Sequence, residues 1–251
     1  MRQPAKKVAS IFFVFLSGIS TVFSQKAKTD LEYGVNLGFM VYQGDLSNVR
    51  IGSLRTQKLF VDLHAAKLLG DFFSASLHFS MGKLKGDDTK FDTPEYKKHR
   101  AFNFRTPIYE LTARILWDPF GKNYRFKGFS PYLFVGAGVT FLHIKRDWSQ
   151  LDRDYFALTS PVLAELAEDS AQKLPNLIPV FPIGGGLKYI ISPKLTLNAE
   201  LGYRFNTTSD YLDGFSKSGN PKRKDSYASY SVGFIFRPGK KDPFSCPVPK
   251  Y

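Results

Sequence analysis

The residue types able to do chemistry are few and scattered. His64 and His78 fall on the polar faces of two adjacent alternating segments, with Asp62 the nearby carboxylate. Two histidines and one aspartate could hold zinc, but a hydrogen-bonded polar pair is the favoured reading. Glu110, Arg114, Lys188, Glu200 and Arg204 occupy the polar faces of other alternating segments. They are expected to form one internal charge network rather than an acid–base pair. No nucleophile elbow or triad order is visible. Gly184-Gly185-Gly186 lies inside a strand, so it permits bending or close backbone approach and is no phosphate loop. Asp87-Asp88 lacks the ligand spacing of a calcium loop. No catalytic, cofactor-binding or metal residue is assigned, and no cofactor is expected.

The elements holding these residues show period two. From Leu195 to Phe205, Leu195, Leu197, Ala199, Leu201, Tyr203 and Phe205 take one face, while Thr196, Asn198, Glu200, Gly202 and Arg204 take the other. Successive side chains leave a strand on opposite faces, so this is a strand with one wholly apolar side. Ser192-Pro193 turns the chain back onto Phe181–Tyr189, which alternates likewise, although Pro179 and Pro182 predict a bulge or a frayed end there. The pattern recurs over 31–42, 59–65, 73–82, 104–117, 132–145 and 226–237, giving eight strands.

Several arms are long enough for the roughly 9–11 residues that a membrane-crossing strand needs. Connections alternate between long (43–57, 84–101, 146–178, 207–226) and short (69–71, 118–130, 191–194). Aromatics reach 16%, with 24 Phe and 13 Tyr, as expected where rings form interfacial belts. A mean hydropathy of −0.21 is compatible, because such strands are only half apolar. The fold class predicted is all-β: an eight-stranded antiparallel outer-membrane barrel, its interior filled by its own side chains. In the long loop at 146–178, Ser160-Pro161 is expected to open an amphipathic helix with Leu163, Leu166, Ala167 and Leu174 on one face, capping the lumen.

Residues 1–24 read as a signal peptide: Arg2, Lys6 and Lys7, then an apolar run, then Val22-Phe23-Ser24. The barrel is expected over 25–238 and a periplasmic tail over 239–251. With an even strand number, that tail lies on the side of the N-terminus. Cys246, the one cysteine, stands there and is the candidate tether to a partner, through an intermolecular disulfide, or else a free thiol. The net charge of +13 could indicate nucleic acid, but no aromatic–basic module is present; lysines facing anionic outer-membrane lipid or a protein explain it more simply.

Five stretches carry a resemblance: Tyr42–Leu46 (YQGDL), Gly82–Asp88 (GKLKGDD), Asn103–Leu111 (NFRTPIYEL), Phe129–Val139 (FSPYLFVGAGV) and Gly202–Ser216 (GYRFNTTSDYLDGFS), with Cys246-Pro247 near a terminal aromatic. The most specific holds Asp210, Tyr211, Leu212 and Asp213. Together they resemble the PorG-like family of Bacteroidetes outer-membrane barrels, a component of the type IX secretion system. The resemblance implies no enzyme activity. It implies a barrel whose periplasmic turns and tail hold a periplasmic ring made of a lipoprotein and its partner protein. From the residues alone, a small transporter or ligand-binding barrel, or a surface adhesin, remains open.

Overall fold

The computed structural model describes residues 30–47, 53–121, 123, 128–157, 161–205, 212–219 and 225–238. The signal-peptide residues, Ser160, Asp210, Tyr211 and the tail with Cys246 lie outside the described residues. Strands are β1 (Leu31–Gln43), β2 (Lys58–Leu68), β3 (Phe73–Asp87), β4 (Asn103–Trp117), β5 (Gly128–Leu142), β6 (Lys145–Asp147), β7 (Leu177–Ile190), β8 (Leu195–Phe205) and β9 (Ser226–Phe236). Among the described residues, three short α-helices lie in the loops: α1 (Tyr96–Arg100), α2 (Arg153–Phe156) and α3 (Val162–Ala171).

Eight long antiparallel strands run in the order β3-β2-β1-β9-β8-β7-β5-β4, and pairing of β3 with β4 closes the ring. β6 is a short ninth strand that lengthens the edge of β4 beyond the barrel wall. Alternation becomes geometry directly: Leu37, Leu77, Leu111, Val135 and Leu201 are exposed, while their neighbours Asn36, His78, Glu110, Phe134 and Glu200 are buried. Exposed rings gather at both margins of this apolar exterior. Tyr33, Phe73, Trp117, Phe129 and Tyr189 stand near the short turns; Phe39, Phe79, Tyr109, Phe141 and Phe205 stand near the long loops. An uninterrupted apolar band with aromatic girdles faces hydrocarbon. Among the described residues no helix is long and apolar enough to cross a membrane; the strands do so. The chain is an eight-stranded transmembrane barrel of the outer-membrane type.

Three local expectations change. β3 and β4 stay paired as far as Asp87 and Asn103, so the loop expected from residue 84 begins as strand. The strand expected over 132–145 is displaced: β5 starts at Gly128, stops at Leu142, and the chain then re-pairs as β6. β7 runs through Pro179 and Pro182 without any register shift. Val135 pairs with Ile183 and Gly138 with Val180, leaving only Gly136–Ala137 opposite Phe181–Pro182 unpaired. A proline lacks the donor for one ladder bond, and a local gap meets that deficit without a bulge.

The Ser192-Pro193 turn is as read. Ser192 Oγ accepts from Leu195 N at 3.1 Å, and Ile191 N donates to Leu195 O at 3.1 Å. The 118–127 connection is sewn to the neighbouring turn. Asp118 N donates to Phe72 O at 2.7 Å, and Asn123 Nδ2 donates to Gly70 O at 2.9 Å.

Candidate functional site

The lumen is the place where polar groups converge. Near the short turns, Glu32 of β1 faces Lys188 of β7, with Nζ 3.9 Å from Oε2, and also pairs with Arg237. One level further in, Arg114 of β4 reaches Glu200 of β8 at 2.9 Å, while the Tyr132 hydroxyl donates to the other carboxylate oxygen at 2.8 Å. Lys188 Nζ lies 5.1 Å from the Tyr132 ring centre, and the Arg114 guanidinium lies 4.8 Å from that of Phe134. Further toward the loops, Arg204 Nε stands 3.0 Å from Glu110 Oε2 and its Nη1 donates to Ser229 Oγ at 2.6 Å. The Tyr227 hydroxyl donates to Glu110 Oε1 at 2.5 Å.

Of the five charges read from the sequence, four form two ion pairs, Arg114–Glu200 and Glu110–Arg204. Lys188 instead takes Glu32. Glu32, Arg237, Tyr132 and Tyr227 complete the network and were not singled out by sequence reasoning. Their signal was inward parity on other strands: Glu32 on β1, Tyr132 on β5, Tyr227 on β9 and Arg237 just beyond it.

Asp62 is the hub of the β2–β3 wall. Its carboxylate accepts from Ser80 Oγ at 2.7 Å and Asn36 Nδ2 at 3.2 Å. It also meets Nδ1 of His64 at 3.2 Å and Nδ1 of His78 at 3.0 Å. His64 and His78 are register partners, their rings stacked with centres 4.7 Å apart. Among the described residues this is the group whose ligand atoms, all within 4.8 Å of one another, match a metal-binding donor set. The same contacts already complete as hydrogen bonds.

The structure also makes a line absent from the sequence order: Ser76 Oγ lies 3.0 Å from His78 Nε2, and His78 Nδ1 contacts Asp62. All three residues are buried in the wall, at 7%, 2% and 1% exposure. The line therefore works as a clamp between β2 and β3, not as a nucleophile presented to substrate. Asp87 and Asp88 are likewise engaged by cations, Asp87 by Lys85 at 2.9 Å and Asp88 by Arg100 at 2.7 Å.

Toward the long loops the inward face turns apolar. Met40, Tyr42, Phe60, Leu84, Phe104 and Ile108 meet Leu46, Phe102, Leu166, Leu212 and Phe215 from the loops in one buried cluster. Polar latches tie this roof down. Burial raises the Asp88 carboxyl above its ordinary value, while its paired Arg100 opposes that shift. The Tyr42 hydroxyl contacts Asp225 at 2.5 Å and Asp213 at 2.9 Å, and Thr106 Oγ1 donates to Leu212 O at 2.8 Å. Leu212 and Asp213, half of the sequence motif, are thus roof residues.

The helix expected after Ser160-Pro161 is α3, but it begins at Val162 with Pro161 as its N-cap. Its inward side is Leu166 and Asp169, whereas Ala167 is exposed and Leu174 falls beyond its end. Asp169 is the stronger anchor, accepting from Ser218 N at 2.9 Å, Ser218 Oγ at 2.7 Å and Lys217 N at 3.1 Å. A buried carboxylate fastening backbone amides outweighs the simple apolar stripe that the spacing predicts.

No family model matches the chain, and no curated protein matches it. Solved structures similar to it include Neisserial surface protein A, at 11% identity and a TM-score of 0.47, covering 84% of this chain and 99% of that one. A major outer membrane protein from Thermus thermophilus is similar at 12% identity and a TM-score of 0.42, covering 82% and 98%. OprG from Pseudomonas aeruginosa is similar at 11% identity and a TM-score of 0.42, covering 82% and 94%.

Proposed function

We propose that this chain is a non-enzymatic outer-membrane barrel that scaffolds type IX protein secretion, holding a periplasmic ring of lipoprotein and partner protein through its short turns and tail. The observation that carries this reading is the state of the interior. Paired charges fill the lumen, and the loops roof it with a packed apolar cluster. A barrel so filled acts through its end faces. The resemblance of its motifs to the PorG-like family supplies the machinery, and Cys246 is the candidate for a covalent tether to the partner. In this reading the short turns and the tail face the periplasm and the long loops face outward.

The test is co-purification. Tagged barrel extracted in mild detergent should bring down a periplasmic lipoprotein, and a higher band on a non-reducing gel should collapse in Cys246→Ser. A clean monomer sinks the scaffold reading. The competing transporter reading draws on the inward charges; it wins if the wild type conducts in planar bilayers and changing Glu200 or Arg204 abolishes the current.

A further inference from the structure

Beyond the apolar band, one sector of the outer wall changes character abruptly. On β3 the outward residues Phe73, Ala75, Leu77, Phe79 and Met81 give way to Lys83 and then Lys85. Lys85 stands directly opposite Arg105 of β4, and Arg105 directly opposite Lys145 of β6. Three cations therefore share one rung of the sheet, with Lys83 a rung nearer the membrane. Opposed side chains on such a rung have Cβ atoms about 4.5–5.5 Å apart, and like charges there repel.

The next rung offers partial relief through Asp87 and Asp147. Asp87 takes Lys85 at 2.9 Å, and Asp147 accepts from Asn103 Nδ2 at 3.3 Å and Ser149 N at 2.9 Å. Lys83, Arg105 and Lys145 remain exposed, whereas their chain neighbours Leu84, Phe104 and Thr106 are buried. The register thus holds three cations outward, on rigid strand, at the margin of the lipid-facing surface. Of the other strands, β2 also meets the long loops with a cation, Lys58, beside this row, whereas the loop-end residues Gln43 on β1, Leu142 on β5, Leu177 on β7, Phe205 on β8 and Ser226 on β9 carry no charge.

We propose that this row on β3, β4 and β6 is a binding site for the phosphate groups of a phosphorylated glycolipid in the leaflet surrounding the long-loop end. Arg105 offers the planar fork that binds phosphate through two parallel bonds, and the lysines add point charges. The acyl chains of the same molecule lie on the apolar surface just below, where Phe79, Met81 and Tyr109 face outward. The site rests on the reading that the long loops face the outer leaflet. It does not depend on secretion or on the periplasmic ring.

The test compares full-length wild type with the triple variant Lys83→Gln, Arg105→Gln, Lys145→Gln, both purified in detergent and titrated by native mass spectrometry. The probes are bisphosphorylated lipid A, dephosphorylated lipid A and inorganic phosphate. Wild type should hold the bisphosphorylated lipid, and the variant should hold it on the order of tenfold or more weakly, since each basic residue at an anionic surface adds about a fivefold factor. Dephosphorylated lipid should not distinguish the two proteins, inorganic phosphate should not compete at equal concentration, and Lys98→Gln in α1 should behave as wild type.

Equal lipid binding by wild type and variant overturns the proposal, and so does inorganic phosphate binding as well as the lipid. The heat-dependent gel shift of a folded barrel checks the variant. If the triple fails to fold, Arg105→Lys, which keeps the charge and loses the fork, should weaken binding by itself. Protease shaving of intact cells tests the orientation separately, and ring co-purification tests the scaffold separately, so each failure is distinguishable.

Discussion

Glu110 and Arg204 meet across the interior of the barrel, Nε to Oε2 at 3.0 Å, although their strands β4 and β8 are separated in the wall by β5 and β7. Both residues are essentially inaccessible. Removing one partner leaves an unpaired charge in a sealed interior, which costs about 3–5 kcal/mol. Arg204→Ala should therefore lower the unfolding midpoint in detergent far more than Arg204→Met combined with Glu110→Met, which removes both charges and keeps most of the volume. Equal losses from the single and the double variant would show that packing, not charge, is what the pair supplies.

The Asp62 carboxylate gathers Ser80, Asn36, His64 and His78. Replacing it with Ala strands several buried partners at once, each costing about 1–3 kcal/mol when left unsatisfied. Asp62→Ala should weaken the barrel more than Ser80→Ala, which removes only one of the contacts. Because the cluster completes as hydrogen bonds, chelation with EDTA should leave the wild-type unfolding midpoint unchanged. A drop on chelation, restored by zinc, would make the cluster a metal centre instead.

These two clusters also show what the sequence makes legible. Strand parity alone places Glu110, Arg114, Glu200 and Arg204 inside, because side-chain direction is fixed by a period of two. Their pairing depends on strand tilt and stagger across the lumen, which no single strand records, and so Lys188 finds Glu32 instead of a named partner. The roof is less legible still. Met40, Tyr42 and Phe104 sit on the inward parity that carries polar residues lower down, and they become core only because Leu166, Leu212 and Phe215 arrive from distant loops. Asp169 is a further case: its role depends on the backbone amides of residues 217 and 218, which a side-chain pattern cannot show.

Leu201 is 68% exposed near the middle of β8. In water that would be a liability, and in hydrocarbon it is the expected state. Arg at this position should cost about 2–4 kcal/mol, the depth-dependent cost of a charge on the lipid face of a barrel. The similarly exposed Leu54, in the β1–β2 loop, should accept Arg with little change. Folding yield into lipid vesicles measures both. If Leu201→Arg folds as readily as Leu54→Arg, the apolar band does not face lipid.

Asp152 couples two loops outside the membrane. Its side chain accepts from Tyr155 N at 3.1 Å to cap α2 and meets His99 Nδ1 at 3.0 Å, while the His99 and Tyr155 rings stack at 3.9 Å. The His99 hydrogen bond, followed by the Tyr155 amide, holds the Asp152 carboxyl below its ordinary value. A carboxyl depressed in the folded state contributes stability that is present above its unfolded pKa and is lost as pH falls through the folded one. The α1–α2 contact should accordingly hold at neutral pH and loosen only below the ordinary carboxylate range. Amide exchange at Tyr155 should rise, relative to an unstructured reference, as pH falls through that window, and Asp152→Asn should flatten the dependence. A pH dependence that survives Asp152→Asn unchanged would show that the carboxyl does not control the contact.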